Sequence, residues 1–213
     1  MKIAILGSGQ VGRALGAGLA RHGHEVVMGS RDPRGEAVRG WVAEVGERAR
    51  AAPYAEAASA CDLACVVTSW SGTENALSLA GAAHLAGKVV VDVTNPLGFG
   101  ESGPFLVVGG ADSAGEQVQR WLPDAHVVKA WNTVNANQMV DPTTPGGPAD
   151  MLFCGNDAAA KQTVADLLSD CGWVPLDMGG IDSARYIEAV AILWIKYAIA
   201  HGTTDHAFTL LRS

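Results

Sequence analysis

Two groups of residues near the N-terminus have the types and spacing to hold a phosphorylated ligand. Gly7-Ser8-Gly9-Gln10-Val11-Gly12 is a GxGxxG run. In such a run the first glycine permits a tight turn and the second lets backbone approach a pyrophosphate. The third lets a helix pack close on a strand. Downstream, Gly29-Ser30-Arg31-Asp32-Pro33-Arg34 gathers a hydroxyl and two guanidinium groups. Dinucleotide sites selective for NAD place an acidic side chain here to bind ribose hydroxyls. In this sequence Ser30 can donate a hydrogen bond, and Arg31 can stack on adenine while pairing with a 2′-phosphate. Arg34 is close enough to assist. Together the two groups predict NADP(H) as cofactor. Asp32, the dissenting charge, is expected to turn outward or to cap the next helix.

The surrounding pattern supplies the elements that such a site needs. Lys2-Ile3-Ala4-Ile5-Leu6 reads as a strand, and Val11, Ala14, Leu15, Gly18 and Leu19 fall on one helical face. Glu25-Val26-Val27-Met28 reads as a second strand. A strand, glycine turn, helix and strand in that order aim unpaired amides and a partial positive charge at phosphate. Helical spacing of Val38, Trp41, Val42, Val45 and Ala49 predicts a helix over 35–50, with a short strand expected at Pro53-Tyr54. Ala60 to Thr68 reads as a buried strand ending in Thr68-Ser69-Trp70, and a helix is expected over 73–85. Lys88 to Thr94 is a further strand, terminated by Asn95-Pro96. Ligands of open parallel sheets lie outside the carboxyl ends of the strands. Thr68, Ser69, Trp70 and Asn95 are therefore candidate contacts.

Residues 98–111 are glycine-rich and are expected to be irregular, a candidate lid. Asp112-Ser113 with Glu116 forms a capping-box pattern opening a helix through Leu122. His126 to Trp131 is a strand running into Asn132-Thr133-Val134-Asn135-Ala136-Asn137. The segment Asp141 to Asp150, with three prolines and two glycines, reads as a linker or long loop. After it come a strand at Met151 to Cys154, a helix at Asn156 to Cys171 and a strand at Trp173 to Asp177. A last helix runs from Ser183 to His201, with Ala184, Ile187, Ala191, Trp194, Ile195 and Ala198 on one face. This alternation predicts an α/β fold, a Rossmann-like doubly wound parallel sheet over 1–140. A Pro/Gly-rich loop over 141–150 would join it to a small C-terminal α/β extension over 151–213 that completes the site and the dimer.

Composition narrows the partners. A net charge of -7 with no basic run argues against nucleic acid or an anionic membrane. The most apolar stretch, Ala189 to Ala200, contains Lys196 and is too short to span a bilayer. Cys61, Cys65, Cys154 and Cys171 form no CxxC pair, so buried free thiols in a reducing compartment are expected rather than a metal or disulfide site. A chain opening directly on a core strand leaves no room for a signal peptide, and a cytoplasmic location is expected. No HExxH, GxSxG or paired-carboxylate motif is present. Of the six histidines, only His201 and His206 lie where they could reach a substrate. No catalytic side chain is assigned. Hydride transfer between two rings held in apposition needs none, whereas ketone reduction needs a proton donor.

With Gly7 to Gly12, Ser30-Arg31, Trp70 and Val128-Lys129-Ala130-Trp131-Asn132-Thr133 in view, the sequence resembles the NADPH-dependent reductases of the deazaflavin coenzyme F420. The resemblance extends through Cys154-Gly155-Asn156-Asp157, Pro175-Leu176-Asp177-Met178-Gly179, Ser183-Ala184-Arg185 and Glu188. The sequence is also similar to the cytosolic reductase domain of transmembrane ferric reductases. The resemblance implies direct hydride exchange between NADP(H) and F420 stacked on the nicotinamide, in a homodimer. Ser8 to Val11 would hold the pyrophosphate, and Ser30 and Arg31 the 2′-phosphate. Backbone from Asn132 through Val134, Asn135 and Ala136 would line the nicotinamide end. Archaeal members have a His-Thr-Ile-Pro type of segment where this chain has Asn132-Thr133-Val134-Asn135. Other acceptors (an imine, flavin, quinone or metal chelate) and a non-catalytic NADP-binding module therefore stand as alternatives.

Overall fold

The computed structural model describes residues 1–144 and 146–211; Pro145 of the expected loop and Arg212-Ser213 of the C-terminal unit lie outside the described residues. The chain opens with β1 (Lys2–Leu6), α1 (Gln10–Arg21) and β2 (Glu25–Gly29). Then come α2 (Glu36–Val45), β3 (Ala49–Ala52), α3 (Tyr54–Ala60) and β4 (Leu63–Val66). Next are α4 (Trp70–Ala80), α5 (Ala82–Leu85), β5 (Val89–Asp92) and a hairpin of β6 (Leu97–Gly100) and β7 (Gly103–Leu106). The remainder is α6 (Ala114–Trp121), β8 (His126–Lys129), β9 (Asp150–Gly155), α7 (Ala158–Asp170), β10 (Val174–Asp177) and α8 (Ala184–His201).

Among the described residues the main sheet has eight strands in the order β10-β9-β8-β5-β4-β1-β2-β3. From β3 to β8 every neighbour is parallel, so the expected doubly wound sheet is present. β9 then pairs antiparallel with β8, and β10 runs parallel to β9. Strand alternation sorts the core into two layers. Ile3 and Ile5 pack with Leu15 and Leu19 of α1 on one face. Ala4 and Leu6 pack with α3, α4, α6 and α8 on the other.

Several local expectations are corrected. The third strand is Ala49–Ala52, and Pro53 with Tyr54 instead starts α3. Pro53 occupies the residue before the first helical turn, where its missing N–H costs nothing. The helix expected over 35–50 stops at Val45 because Gly46 (φ 84°) turns the chain. The helix expected over 73–85 begins at Trp70 and breaks at Gly81 into α4 and α5. Residues 97–106 are a regular antiparallel hairpin, not an irregular segment. Glu101 and Ser102 form its two-residue turn, the commonest hairpin connection.

Ser113 caps α6 as the pattern predicts, while Glu116 meets the Ser113 hydroxyl rather than its backbone amide. Ser113 Oγ accepts from the Glu116 amide at 3.1 Å and donates to Glu116 Oε2 at 2.7 Å. The guanidinium of Arg185 grips the same carboxylate from α8, and its hydrogen bonds hold Glu116 below the usual carboxylate range. Ser113→Ala should cost about 1 kcal/mol, which a thermal melt would read as a loss of about 2–4 °C.

Candidate functional site: a cleft at the first strand–helix turn

A cleft of 550 Å³ opens at the carboxyl ends of β1, β2 and β4. Gly7, Ser8, Gly9, Ser30, Arg31, Thr68 and Ser69 line it, as the sequence predicts. Gly7 adopts φ 133°, which a side chain would resist. An added Cβ at Gly12 would sit 2.1 Å from the Gly7 carbonyl oxygen, so the helix must carry glycine to lie this close to the turn. At Gly9 the opposite holds: an added Cβ meets nothing within 4 Å. The open space above Gly9 is a cradle. α1 has no side-chain cap at Gly9, so its first-turn amides, including those of Gln10, Val11 and Gly12, point to that space without an internal acceptor. An anion fits this arrangement.

The adjoining wall carries the phosphate-selective groups. Ser30 is buried, its Oγ 3.4 Å from that of Ser8 and accepting from the Asp32 amide at 3.1 Å. Arg31 is exposed on the rim and enters no ion pair among the described residues. Asp32 does not cap α2, whose N-terminal flank is Gly35. Its carboxylate instead accepts from the Arg34 amide at 3.2 Å, closing a local turn. Arg34 itself is exposed next to the cleft but does not line it. Tyr54, Gly72, Asn75 and Ala76 also line the cleft and were not foreseen. They come from α3, which has no sequence signature, and from the first turns of α4.

Trp70 does not line this cleft. It stacks on Trp121 of α6 with ring centroids 5.5 Å apart. The remaining predicted residues gather in the segments that follow β5 and β8, farther along the same sheet edge. Asn95 and Asn132 clamp one another across the two strands. Asn95 Nδ2 donates to the Asn132 carbonyl at 2.7 Å, and Asn132 Nδ2 donates to Asn95 Oδ1 at 3.0 Å. Val134, Asn135 and Ala136 follow, half-buried, and Asn135 Oδ1 accepts from the Asn137 amide at 3.2 Å. β8 lies three strand spacings from β1, roughly 14 Å. An extended dinucleotide spans that distance.

At this second end, below the Asn95–Asn132 pair in sequence and strand position, lies a buried ionic cluster that sequence reasoning did not assemble. Lys129 and Asp92 are register partners at the last positions of β8 and β5. Lys129 Nζ is 2.9 Å from Asp92 Oδ2 and 2.9 Å from Glu188 Oε1 of α8, with all three side chains 0% exposed. Burial opposes the ammonium charge, but the two carboxylates outweigh it and hold the Lys129 pKa above its usual value. Burial pushes the Glu188 carboxyl up, only partly offset by Lys129.

Several other titratable groups are engaged away from the cleft. His22 bonds Asp141 at 2.8 Å. His206 stacks on Trp194 at 4.5 Å and Tyr197 lies against His201, so both histidines near the end of α8 belong to an aromatic cluster. The cysteines are buried and free; burial raises the Cys154 and Cys171 thiols to about 12. Among the described residues no group of three or more His, Cys, Asp or Glu side chains could hold a metal, and no helix is long and apolar enough to cross a membrane.

Comparison with known proteins finds relatives of this chain. Residues 2–96 match the family model described as "NADP oxidoreductase coenzyme F420-dependent". The F420-dependent NADP reductase of Methanothermobacter marburgensis is 31% identical, with 93% of each chain covered. Rat metalloreductase STEAP3 is 33% identical over 90% of this chain, which spans 36% of that protein's length. A crystal structure from Arthrobacter sp. FB24, proposed to be an F420-dependent NADP reductase, superposes with a TM-score of 0.93 at 41% identity over the whole of both chains.

Proposed function

The chain belongs to the F420-dependent NADP reductase family, and from that premise we propose that it exchanges a hydride directly between NADP(H) and coenzyme F420. The observation that carries this reading is the pairing of an open, amide-lined cradle at Gly9 with a guanidinium at Arg31 that enters no ion pair among the described residues. Bound there, the nicotinamide and the deazaflavin supply the redox chemistry between them, and the accompanying proton is exchanged with solvent.

The chain's own contribution is geometric and electrostatic. Ser8, Gly9, Gln10 and Val11 hold the pyrophosphate on backbone amides, and Ser30 and Arg31, aided by Arg34, hold the 2′-phosphate. Thr68 and Ser69 wall the middle of the crevice. Asn95 and the Asn132–Ala136 segment fix the nicotinamide end. Among the described residues no histidine lines this cleft, and apposition of two rings needs no proton relay. The protein is proposed to act in the cytoplasm, where its four buried thiols stay reduced. A homodimer is proposed across α8, which exposes Tyr186, Leu193 and Ile199, and the neighbouring hairpin, which exposes Phe99 and Phe105.

Mixing the protein with NADPH and oxidised F420 should bleach the deazaflavin absorbance, and NADP with reduced F420 should restore it. Absence of turnover in both directions refutes the proposal. The similarity to a metalloreductase favours one second reading, reduction of a ferric chelate. Turnover with the chelate and none with F420 would select it.

A further inference from the structure

We propose that Asp92, Lys129 and Glu188 form a positioning device for the nicotinamide end of the cleft, acting through Asn95; this rests on the reading that the dinucleotide extends over β5 and β8. Lys129 has three N–H donors, and each is engaged. They reach Asp92 Oδ2 at 2.9 Å, Glu188 Oε1 at 2.9 Å and the Thr94 carbonyl at 2.5 Å. The second oxygen of Asp92 accepts from the Thr94 amide at 2.9 Å and the Thr94 hydroxyl at 2.7 Å. The turn that leaves β5 is thereby tied at three points, immediately before Asn95. Asn95 in turn grips Asn132 across to β8.

Glu188 extends the same network to two more elements. Its oxygens accept from the Ala114 amide at 3.0 Å and the Gly115 amide at 3.1 Å, at the N-terminus of α6. One ammonium thus references β5, β8, α6 and α8 to one another. Stability does not explain such a cluster. Burying an ion costs several kcal/mol, and well-packed apolar replacements of buried ion pairs are often as stable or more so. What the cluster supplies is a unique geometry for the Thr94-Asn95 peptide, at the place where the sheet edge must meet a flat ring.

The test separates the two halves of the ligand. 2′,5′-ADP reports the adenine half alone, and NADPH reports both. Lys129→Met alone would strand two buried carboxylates, so the informative variant combines it with Asp92→Asn and Glu188→Gln. The variant should bind 2′,5′-ADP within about twofold of the parent and NADPH about tenfold more weakly. The gain in affinity from the nicotinamide half is then lost. Asn95→Ala changes a half-buried loop residue outside the core and should show the same selective loss. An unchanged ratio of the two dissociation constants in Asn95→Ala, or in the folded triple variant, overturns the inference. Failure of the parent protein to bind 2′,5′-ADP overturns the dinucleotide reading and this inference with it.

Discussion

Replacing Arg31 by alanine should raise the Kd for NADPH by roughly 10- to 100-fold, while NADH binding stays within about twofold. The estimate follows from the loss of a charge-assisted hydrogen bond to phosphate, worth about 1.5–3 kcal/mol. Arg31 suits that role because it lies on the cleft rim and enters no ion pair among the described residues. Its removal also leaves Asp32 and Glu36 as the charged side chains lining the cleft, which makes the local field more repulsive to phosphate. Arg34 remains, but outside the lining, so it can rescue only part of the loss. Fluorescence titrations with the two reduced dinucleotides give both constants. Equal weakening of NADPH and NADH would show that the 2′-phosphate is read elsewhere. Added salt should shrink the NADPH preference of the parent protein, because the rim is exposed and screened.

The parts of this site that were legible in the sequence are those where one local signal suffices. β1, the glycine turn and α1 declare themselves together: an apolar run, three glycines at fixed offsets and a helical stripe agree. Ser30 and Arg31 follow because the end of β2 is the one place where a ribose substituent can be met. α3 was hidden for the opposite reason. Tyr54 to Ala60 is less than two turns of mostly alanine, too short to show a period, and Pro53 ahead of it reads as a breaker. Ala49–Ala52 carries so little β-branching that it passes as the tail of α2. The hairpin was masked by its glycines, which signal irregularity unless the two-residue turn between short strands is noticed. The ionic cluster had a faint trace, an aspartate and a lysine each closing an otherwise apolar strand. Only strand register reveals that they are partners, and only the path of α8 brings Glu188 to them.

Gly9→Ala and Gly12→Ala should separate fold from function at the phosphate turn. Gly9 has φ -70° and ψ -176°, a conformation open to any residue, and its Cβ direction is free. Alanine there loses some helix-capping preference but reduces unfolded-chain entropy, so Tm should move by no more than about 2 °C. The same methyl group fills the cradle that the pyrophosphate must enter. Losing two charge-assisted amide contacts predicts a rise in NADPH Kd above about 100-fold. Gly12→Ala behaves differently because its Cβ meets backbone, the Gly7 carbonyl oxygen, rather than a side chain that can rotate away. The helix must retreat from the turn, at a cost of about 3 kcal/mol or more, and the melting temperature should fall by about 6–12 °C. Its amides leave the cradle in the same movement, so binding is lost as well. Thermal melts and NADPH titrations on the two variants give the comparison. A Gly9→Ala protein that binds NADPH normally would mean that the pyrophosphate does not approach this turn.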